Sequence, residues 1–264
     1  MKKMNPQGPT VVHRHELQMT SGLEVDGVWR NAGAVYTMRG HPVLDRIVPA
    51  SWSVSWTTLP DQTPLDPHLH PIESYVAIVN GRARLTGQQQ LLVEAGTVVQ
   101  VPPWHLHGFS CVENKTFWAI TWQRSPQSLF YEENHVYFET SPAVKERFNS
   151  PKGKKDLQQQ VTLHRSQTLP TDDMMKFRSS SMTPEFFAVD LATKESVQVQ
   201  TFGPTLIFAT ASSCSITTSS TADSTQHQLV EGDTFAFSGV DFQNGLRLQR
   251  GSPNAQVGIL VFPN

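Results

Sequence analysis

The stretch that decides the fold is PLDPHLHPIESYVAIVNG, residues 64–81, together with EAGTVVQVPPWHLHGF, residues 94–109. On an extended strand alternate side chains share a face, so His68 and His70 send both imidazole rings to one side. Neutral imidazole is a common ligand of iron, nickel, copper, zinc and manganese. These two histidines and a third, His107, can therefore make a metal site.

The residues around these histidines are typical of β-strands joined by tight turns. Residues 75–79 are rich in β-branched and aromatic side chains and end at Asn80-Gly81, a strong hairpin signal. A second apolar strand over 97–101 stops at Pro102-Pro103, which cannot continue a central ladder. This pattern predicts that His107 lies on a loop after the strand, about one hairpin from the first pair.

The two stretches resemble the two sequence motifs of the cupins, G-x5-H-x-H with a following acid and glycine, and G-x5-P-x-G-x-x-H. In the second motif Gly96, Pro102 and His107 keep the spacing. Trp104 replaces the usual glycine of that motif, and Pro64 replaces the opening glycine of the first. The resemblance implies a small antiparallel β-barrel that holds a metal inside, with room for side chains or one small ligand.

The resemblance leaves open whether a carboxylate joins the site. In cupins that use one, the Glu or Gln usually falls where Ser74 stands here, and Glu73 is one residue early. Because strand faces alternate, Glu73 would point away from the side of His70 unless a bulge resets the register. A three-histidine site, a site that adds Glu73, and a barrel without a functional metal all stay open.

Turn residues recur between short β-rich runs along the whole chain, and long helical periodicity is scarce, which predicts an all-β protein. In the first half, strands are expected over 51–57 and 117–122, and one short helix over 143–148. The candidate strands of the second half cover 196–201, 205–211, 215–218, 228–230, 234–238, 247–250 and 257–262.

The second half resembles a copy of the first. TLIFATASSCSITT, residues 205–218, and QLVEGDTFAFSG, residues 228–239, resemble the same cupin hairpin but contain no His-x-His pair. We therefore expect two tandem cupin barrels of the double-stranded β-helix, or jelly-roll, type. The expected division is an N-terminal barrel with the metal site over 1–148, a linker over 149–166, and a degenerate barrel without metal ligands over 167–264.

The motif PPWHLHGF, residues 102–109, resembles that of gentisate dioxygenases and related ring-cleaving bicupins, which hold ferrous iron with three histidines. The resemblance implies that His68, His70 and His107 bind Fe(II), with manganese, nickel and zinc as other possible metals. Two or three metal positions then stay open for substrate, dioxygen or water. The implied substrate is a small hydroxylated aromatic or another enolizable acid.

Two other functions stay open. One is a non-redox lyase, isomerase or decarboxylase that acts on a small hydroxy acid or sugar, with Glu73, His105 or Tyr75 as the proton-transfer residue. The other is a metabolite-binding regulatory barrel. In each case a substrate pocket is expected beside the histidines, formed by Trp52, Trp56, Ser74, Trp104, Phe109, Trp118 and Trp122.

The composition of the chain limits the kinds of partner and the cellular location that we expect. With 21 Lys+Arg against 23 Asp+Glu, the chain offers no electrostatic case for nucleic acid. It has no apolar run of about 18 residues, so no membrane span is expected. Cys111 and Cys214 form no disulfide framework, which favours a reduced, cytoplasmic location. Because edge strands need covering, we expect a homodimer that acts on a small molecule.

Overall fold

The protein is described from a computed structural model. The model describes residues 9–25, 27–59, 64–112, 116–127, 136–156, 158–168, 174–177, 179, 182–192, 195–219, 224–238 and 245–263.

Strands dominate these ranges. Those up to residue 138 are β1 Thr10–Val12, β2 Gln18–Val25, β3 Val28–Thr37, β4 Ser53–Leu59, β5 Leu65–Leu69, β6 Ser74–Asn80, β7 Arg82–Gly87, β8 Leu91–Glu94, β9 Thr97–Val101, β10 His107–Cys111, β11 Phe117–Gln123 and β12 Tyr137–Phe138. Those that follow are β13 Thr162–Arg165, β14 Gln167–Thr168, β15 Met174–Phe177, β16 Glu185–Asp190, β17 Ser196–Thr201, β18 Thr205–Ala211, β19 Cys214–Ser219, β20 Ser224–Leu229, β21 Thr234–Phe237, β22 Leu246–Arg250 and β23 Gln256–Val261.

The helices are short. They are a 3₁₀ helix at Arg14–Glu16, α1 Leu44–Ile47, α2 Pro142–Asn149 and α3 Pro151–Asp156. None of the helices in the described part of the chain has the length and apolar character that crossing a bilayer requires.

The all-β class expected from the sequence is confirmed. Strands β9, β17 and β18 have the predicted bounds, and the other predicted strands differ from the structure by a few residues at one or both ends. The hairpin of β2 and β3 was not predicted, because its polar and small residues hide the two-residue period.

The chain divides into two compact units that are not contiguous in sequence. One, called the first barrel below, comprises Leu17–Gly40 and Ala50–Ser166. The other, the second barrel, comprises the described residues of Met1–Glu16, His41–Pro49 and Gln167–Asn264. The stretch 149–166, expected as a linker, contains α3 and β13, and β13 pairs antiparallel with β9 of the first barrel. Strand β1 pairs with β21 of the second barrel.

The first barrel consists of two antiparallel sheets. One has the strand order β12-β5-β10-β7-β8, and the other has the order β13-β9-β6-β11-β4-β3-β2. Apolar side chains from both sheets pack in one core cluster, with Leu65 and Phe109 from the first sheet and Val76 and Phe117 from the second. The space between the sheets is therefore the barrel interior, and the histidines of β5 and β10 border it.

The second barrel also has two sheets, with the orders β1-β21-β18-β23-β16-β14 and β15-β17-β22-β19-β20. Its interior is packed with apolar side chains from both sheets, among them Phe187, Ile207, Ile216, Phe235 and Leu248. No group of histidine, cysteine or carboxylate side chains with metal-binding geometry is found in the part of this barrel that the structure describes.

Candidate metal centre

Three buried histidines converge inside the first barrel. The metal-binding nitrogen atoms that His68, His70 and His107 offer all lie within 4.8 Å of one another. The ring centroids of His68 and His107 are 4.5 Å apart, and those of His70 and His107 are 5.0 Å apart. The histidines predicted from the motif spacing thus come together.

One nitrogen of each ring is already committed to a backbone hydrogen bond. Nδ1 of His68 donates to the carbonyl oxygen of Asp66 at 2.9 Å, Nδ1 of His70 to Ile72 at 2.6 Å, and Nδ1 of His107 to His105 at 2.8 Å. A carbonyl oxygen only accepts, so the proton of each neutral ring is on Nδ1. Nε2 of each ring therefore carries the lone pair that can bind a metal.

Burial keeps the three rings neutral. It lowers the pKa of His68 from 6.5 to about 4 and that of His70 to about 3, and the neighbouring imidazole of His68 lowers the pKa of His70 further. The pKa of His107 is well below its usual value, first through burial and then through His68 and His70. Because a metal competes with protons for these nitrogens, low pKa values favour metal binding at neutral pH.

The pairing of β5 with β10 places His68 directly opposite His107. His107 is the first residue of β10, so the prediction that it lies on a loop is wrong. The register shifts between this pair and the pair of Phe109 and Leu65, which indicates a bulge. A Cβ atom on Gly108 would lie 2.5 Å from the carbonyl oxygen of Leu65, so this close approach requires glycine.

At the start of strand β6, Ser74 points to the barrel interior, and the residues on either side of it, Glu73 and Tyr75, point to the opposite face. Ser74 Oγ lies 3.2 Å from Nε2 of His70. Glu73, in contrast, accepts a hydrogen bond of 2.5 Å from the hydroxyl of Tyr75 and one of 2.7 Å from the side-chain amide of Gln100. The bulge that would have turned Glu73 toward the histidines is therefore absent from this described segment, and Ser74 occupies the inward position.

Tyr75 lies on the outer face of the sheet as well. Its ring stacks on that of Trp122 at a centroid distance of 5.2 Å. Burial, and next the hydrogen bond to Glu73, raise the pKa of Tyr75 well above its usual value, so the phenol stays protonated. Glu73 and Tyr75, both considered as proton-transfer residues, are not among the side chains that line the cavity at the histidines.

His105 is fully buried, and its ring centroid lies 6.5 Å from that of His107. Its Nδ1 donates to the carbonyl oxygen of Gln159 at 3.0 Å, whereas Nε2 has no hydrogen-bond partner among the residues that the structure describes. Burial lowers the pKa of His105. This side chain is not part of the cavity lining, and its hydrogen bond holds the chain after α3 against the loop that precedes β10.

A cavity of about 50 Å³ opens at the three histidines. Its polar lining is uncharged, and its remaining wall is apolar. The lining consists of Val35, Ser55, Thr57, Leu59, Leu65, His68, His70, Ser74, Val76, His107, Phe109, Phe117, Thr121 and Gln123.

Three of the tryptophans expected in the pocket, Trp56, Trp118 and Trp122, lie on the faces of β4 and β11 that point away from the cavity, and Trp52 and Trp104 lie outside the strands. In β4 the small polar residues Ser55 and Thr57 face the cavity, and in β11 Thr121 and Gln123 do so. Both faces of β4 are buried, so polarity alone did not tell which face is the interior. Of the expected pocket residues, Ser74 and Phe109 line the cavity, and Trp52, Trp56, Trp104, Trp118 and Trp122 do not.

Trp104 adopts a backbone conformation that suits glycine. Its φ is +65°, in the left-handed region, which agrees with the glycine usual at this motif position. Its N–H donates to the carbonyl oxygen of His70 at 2.7 Å. The Arg147 guanidinium lies 3.7 Å above the ring, and the ring centroid of Tyr137 is 5.4 Å away. The residue thus fixes the chain between the two histidine motifs.

Two barrels of paired sheets in one chain, one of them with a buried histidine cluster, have the architecture of a bicupin. No protein-family model matches the chain, and no curated protein does so either. Among solved structures, the chain is similar to a variant of oxalate decarboxylase from Bacillus subtilis, with 11% identity, a TM-score of 0.55, and coverage of 99% of this chain and 78% of that chain.

Two vicilins show the same likeness. Vicilin from Corylus avellana has 9% identity and a TM-score of 0.55, with coverage of 96% of this chain and 85% of that chain. Vicilin from Solanum lycopersicum has 11% identity and a TM-score of 0.57, with the same two coverages. At this level of identity the similarity shows the fold, two tandem cupin barrels, and the chemistry of the site has to be argued from its residues.

Proposed function

We propose that the protein is a metal-dependent dioxygenase in which His68, His70 and His107 hold one Fe(II) ion through Nε2. The observation that carries the proposal is the convergence of the three rings, each with its Nδ1–H donated to a backbone carbonyl. Such hydrogen bonds fix the tautomer and the ring orientation that a metal needs.

The donor set fits a divalent transition metal. Three neutral, buried imidazoles suit iron, manganese, nickel or zinc and leave two or three positions open. Bound Fe(II) would supply a centre that binds substrate and dioxygen together and lets electrons pass between them. The protein's own part is to hold the three nitrogens and to keep bulk water out with a wall of apolar side chains, such as Leu59, Phe109 and Phe117.

The cavity lining favours an oxygenase over an acid–base enzyme. Among the lining residues that the structure describes there is no Asp, Glu, Lys, Arg or Tyr. A lyase or isomerase needs a side chain that moves a proton, and Glu73 and Tyr75 are hydrogen-bonded to each other on the outer face. A dioxygenase balances without one, because the substrate gives four electrons to dioxygen and both oxygen atoms enter the products.

Cavity size favours a small enolizable acid over a hydroxylated aromatic. A cavity of about 150 Å³ is the size that admits benzene in another protein, and the cavity here measures about 50 Å³.

A manganese-dependent non-redox enzyme is the second candidate. The fold similarity to oxalate decarboxylase favours it, since one solved structure of that enzyme is described by its Mn(II) centres. The two candidates differ in their need for dioxygen. A cytoplasmic location, a homodimer and the absence of a nucleic-acid partner stay predictions from the sequence.

The test starts from protein purified without chelator, with metal content measured by mass spectrometry. We expect about one iron per chain, and oxygen uptake with short enolizable acids after anaerobic loading with Fe(II). His107→Ala should lose most metal and activity, whereas His164→Ala, which removes an exposed histidine of β13, should retain both. Manganese with turnover under nitrogen would favour the second candidate, and full metal content in His107→Ala would refute the metal centre.

A further inference from the structure

Ser74 lies beside one of the nitrogen atoms that we assign to the metal. Its Oγ is 3.2 Å from Nε2 of His70, and its side chain is buried. Nδ1 of the same ring donates to the carbonyl oxygen of Ile72, so Nε2 accepts and the hydroxyl of Ser74 donates. This hydroxyl therefore competes with a metal for the lone pair of Nε2.

The backbone of Ser74 is held on both sides. Strand β6 lies between β9 and β11, and Ser74 pairs with Val101 on one side and with Gln123 on the other. A shift of the strand would break both ladders, so the hydroxyl can respond to a bound metal only by rotation about χ1. It therefore stays at the cavity that it lines together with the histidines.

A metal on Nε2 of His70 would leave the hydroxyl of Ser74 without an acceptor. Among the residues that the structure describes, this nitrogen is the only hydrogen-bond partner of Ser74 Oγ. A buried hydroxyl that loses its partner is unfavourable, and buried polar groups in native proteins nearly always have one. Because the side chain faces the cavity, the new acceptor is an atom of a ligand that enters the cavity.

The threonine hydroxyls of the lining already have partners. The Oγ1 atoms of Thr57 and Thr121 lie 3.3 Å apart, and Oγ1 of Thr121 also donates to the carbonyl oxygen of Ser55 at 3.4 Å. The described lining contains no lysine or arginine that could donate in place of a hydroxyl. Ser74 is thus the hydroxyl whose described partner a metal would remove.

From these features, and resting on the metal centre proposed above, we infer that Ser74 is a positioning residue for the exchangeable ligand of the metal. Its hydroxyl donates a hydrogen bond to the ligand that fills an open metal position. Such a bond is strongest when the acceptor carries negative charge. The cavity of about 50 Å³ admits about three to five non-hydrogen atoms at about 10–15 Å³ each. The ligand class is therefore a small anion of this size.

Azide, a linear anion of this size, tests the inference. The protein is loaded with Co(II), which stands next to Fe(II) in the order of affinity for nitrogen ligands. Titration with azide at neutral pH is followed by the visible absorption of the cobalt. Competition with a chelating dye gives the Co(II) affinity separately, and neither measurement depends on turnover.

Matched variants separate the hydroxyl from the rest of the site. Ser74→Ala should bind azide at least about tenfold more weakly, as expected for the loss of a hydrogen bond to a charged acceptor. Its Co(II) affinity should equal that of the wild type or exceed it, because the lost hydrogen bond competes with the metal. Ser74→Thr keeps the hydroxyl and should keep the azide affinity within about threefold. Ser110→Ala removes a hydroxyl of β10 that is not part of the cavity lining, and both affinities should be unchanged in that control.

The outcomes separate this inference from the metal centre on which it rests. Equal azide affinity in Ser74→Ala and the wild type would overturn the role of Ser74, and so would an equal loss in Ser74→Thr. Loaded wild type that binds no azide would overturn the ligand class. A Co(II) affinity about tenfold lower in Ser74→Ala would also overturn the role, since Ser74 would then be a metal ligand. In each of these cases the metal centre stands, whereas a wild type that takes up no more Co(II) than His107→Ala would overturn the metal centre itself.

Discussion

The hydroxyl of Ser74 donates a hydrogen bond of 3.2 Å to Nε2 of His70, the nitrogen that is available to a metal. Ser74 stands at the motif position where the sequence left a carboxylate ligand open, and the neighbouring Glu73 faces the other side of β6. The site therefore has three nitrogen donors and a hydroxyl, with no negative charge of its own. This arrangement has consequences for metal affinity that substitutions at residues 73 and 74 can measure.

Ser74→Glu should raise metal affinity at least about tenfold, because a carboxylate beside a dication adds a charged oxygen ligand. The longer side chain fills part of the 50 Å³ cavity, so binding of small acids should weaken. Competition with a chelating dye measures the first effect, and calorimetry measures the second. Ser74→Gln has nearly the same volume without the charge, and an equal gain in that variant would contradict the electrostatic explanation.

Glu73→Gln should leave metal content unchanged and reduce stability. The carboxylate accepts hydrogen bonds from Tyr75 and from Gln100, and hydrogen bonds to a charged group contribute about 1.5–3 kcal/mol. We expect the free energy of unfolding in urea to fall by about 1–2 kcal/mol, since the amide oxygen of glutamine keeps part of this bonding. Glu94→Gln, at an exposed position, is the control. Loss of metal in Glu73→Gln would show that Glu73 reaches the site after all.

The sequence predicted the structure correctly at positions where the residue types allow only one physical interpretation. Asn80-Gly81 marks the turn after β6, and Gly81 has a φ of +82° there. The histidine spacing brought His68, His70 and His107 together, because alternation on one strand and pairing with the next fix their distances. Because side chains alternate along a strand, Glu73 and Ser74 were also expected to face opposite sides, and they do.

The sequence was uninformative where both faces of a strand are buried. In β4 every residue is buried, so the apolar face with Trp56 and the small polar face with Ser55 were equally plausible interiors. Pairings between distant segments were also invisible, since β1 lies at the start of the chain and pairs with β21 near its end. Local patterns carry no information about such contacts.

The Trp104→Gly variant should have a higher free energy of unfolding than the Trp104→Ala variant. Both variants lose the contacts with Arg147 and Tyr137, so the difference between them isolates the backbone at φ +65°. A left-handed conformation costs a residue with a Cβ atom about 1–2 kcal/mol. We expect the glycine variant to be more stable than the alanine variant by about 1 kcal/mol in urea unfolding. Equal stability, or a more stable alanine variant, would contradict the inference that the backbone at residue 104 is strained.

The metal-free first barrel should lose stability in mild acid. The pKa of His68 is about 4 in the folded chain and 6.5 when unfolded, so the unfolded state binds the proton first as pH falls. Stability is therefore complete above pH 6.5 and declines toward pH 4. One imidazole accounts for about 2 kcal/mol between pH 6.5 and 5. His68→Gln should show a correspondingly shallower pH dependence in urea unfolding, and identical slopes for variant and wild type would contradict the linkage.

In the second barrel, His13 should make stability depend on pH in the direction opposite to that expected for His68. Its Nδ1 donates to Oδ1 of Asp233 at 2.9 Å, and this hydrogen bond is the main reason that the pKa of His13 is raised above 6.5. The stabilisation is fully present below pH 6.5 and is lost as pH rises through the folded value, because the ring then loses its charge. His13→Gln should therefore be more destabilising at pH 5.5 than at pH 9 in urea unfolding. In a double-mutant cycle with Asp233→Asn, the coupling energy should shrink over the same interval. A coupling energy that stays constant across this range would show that the charge of His13 makes no contribution.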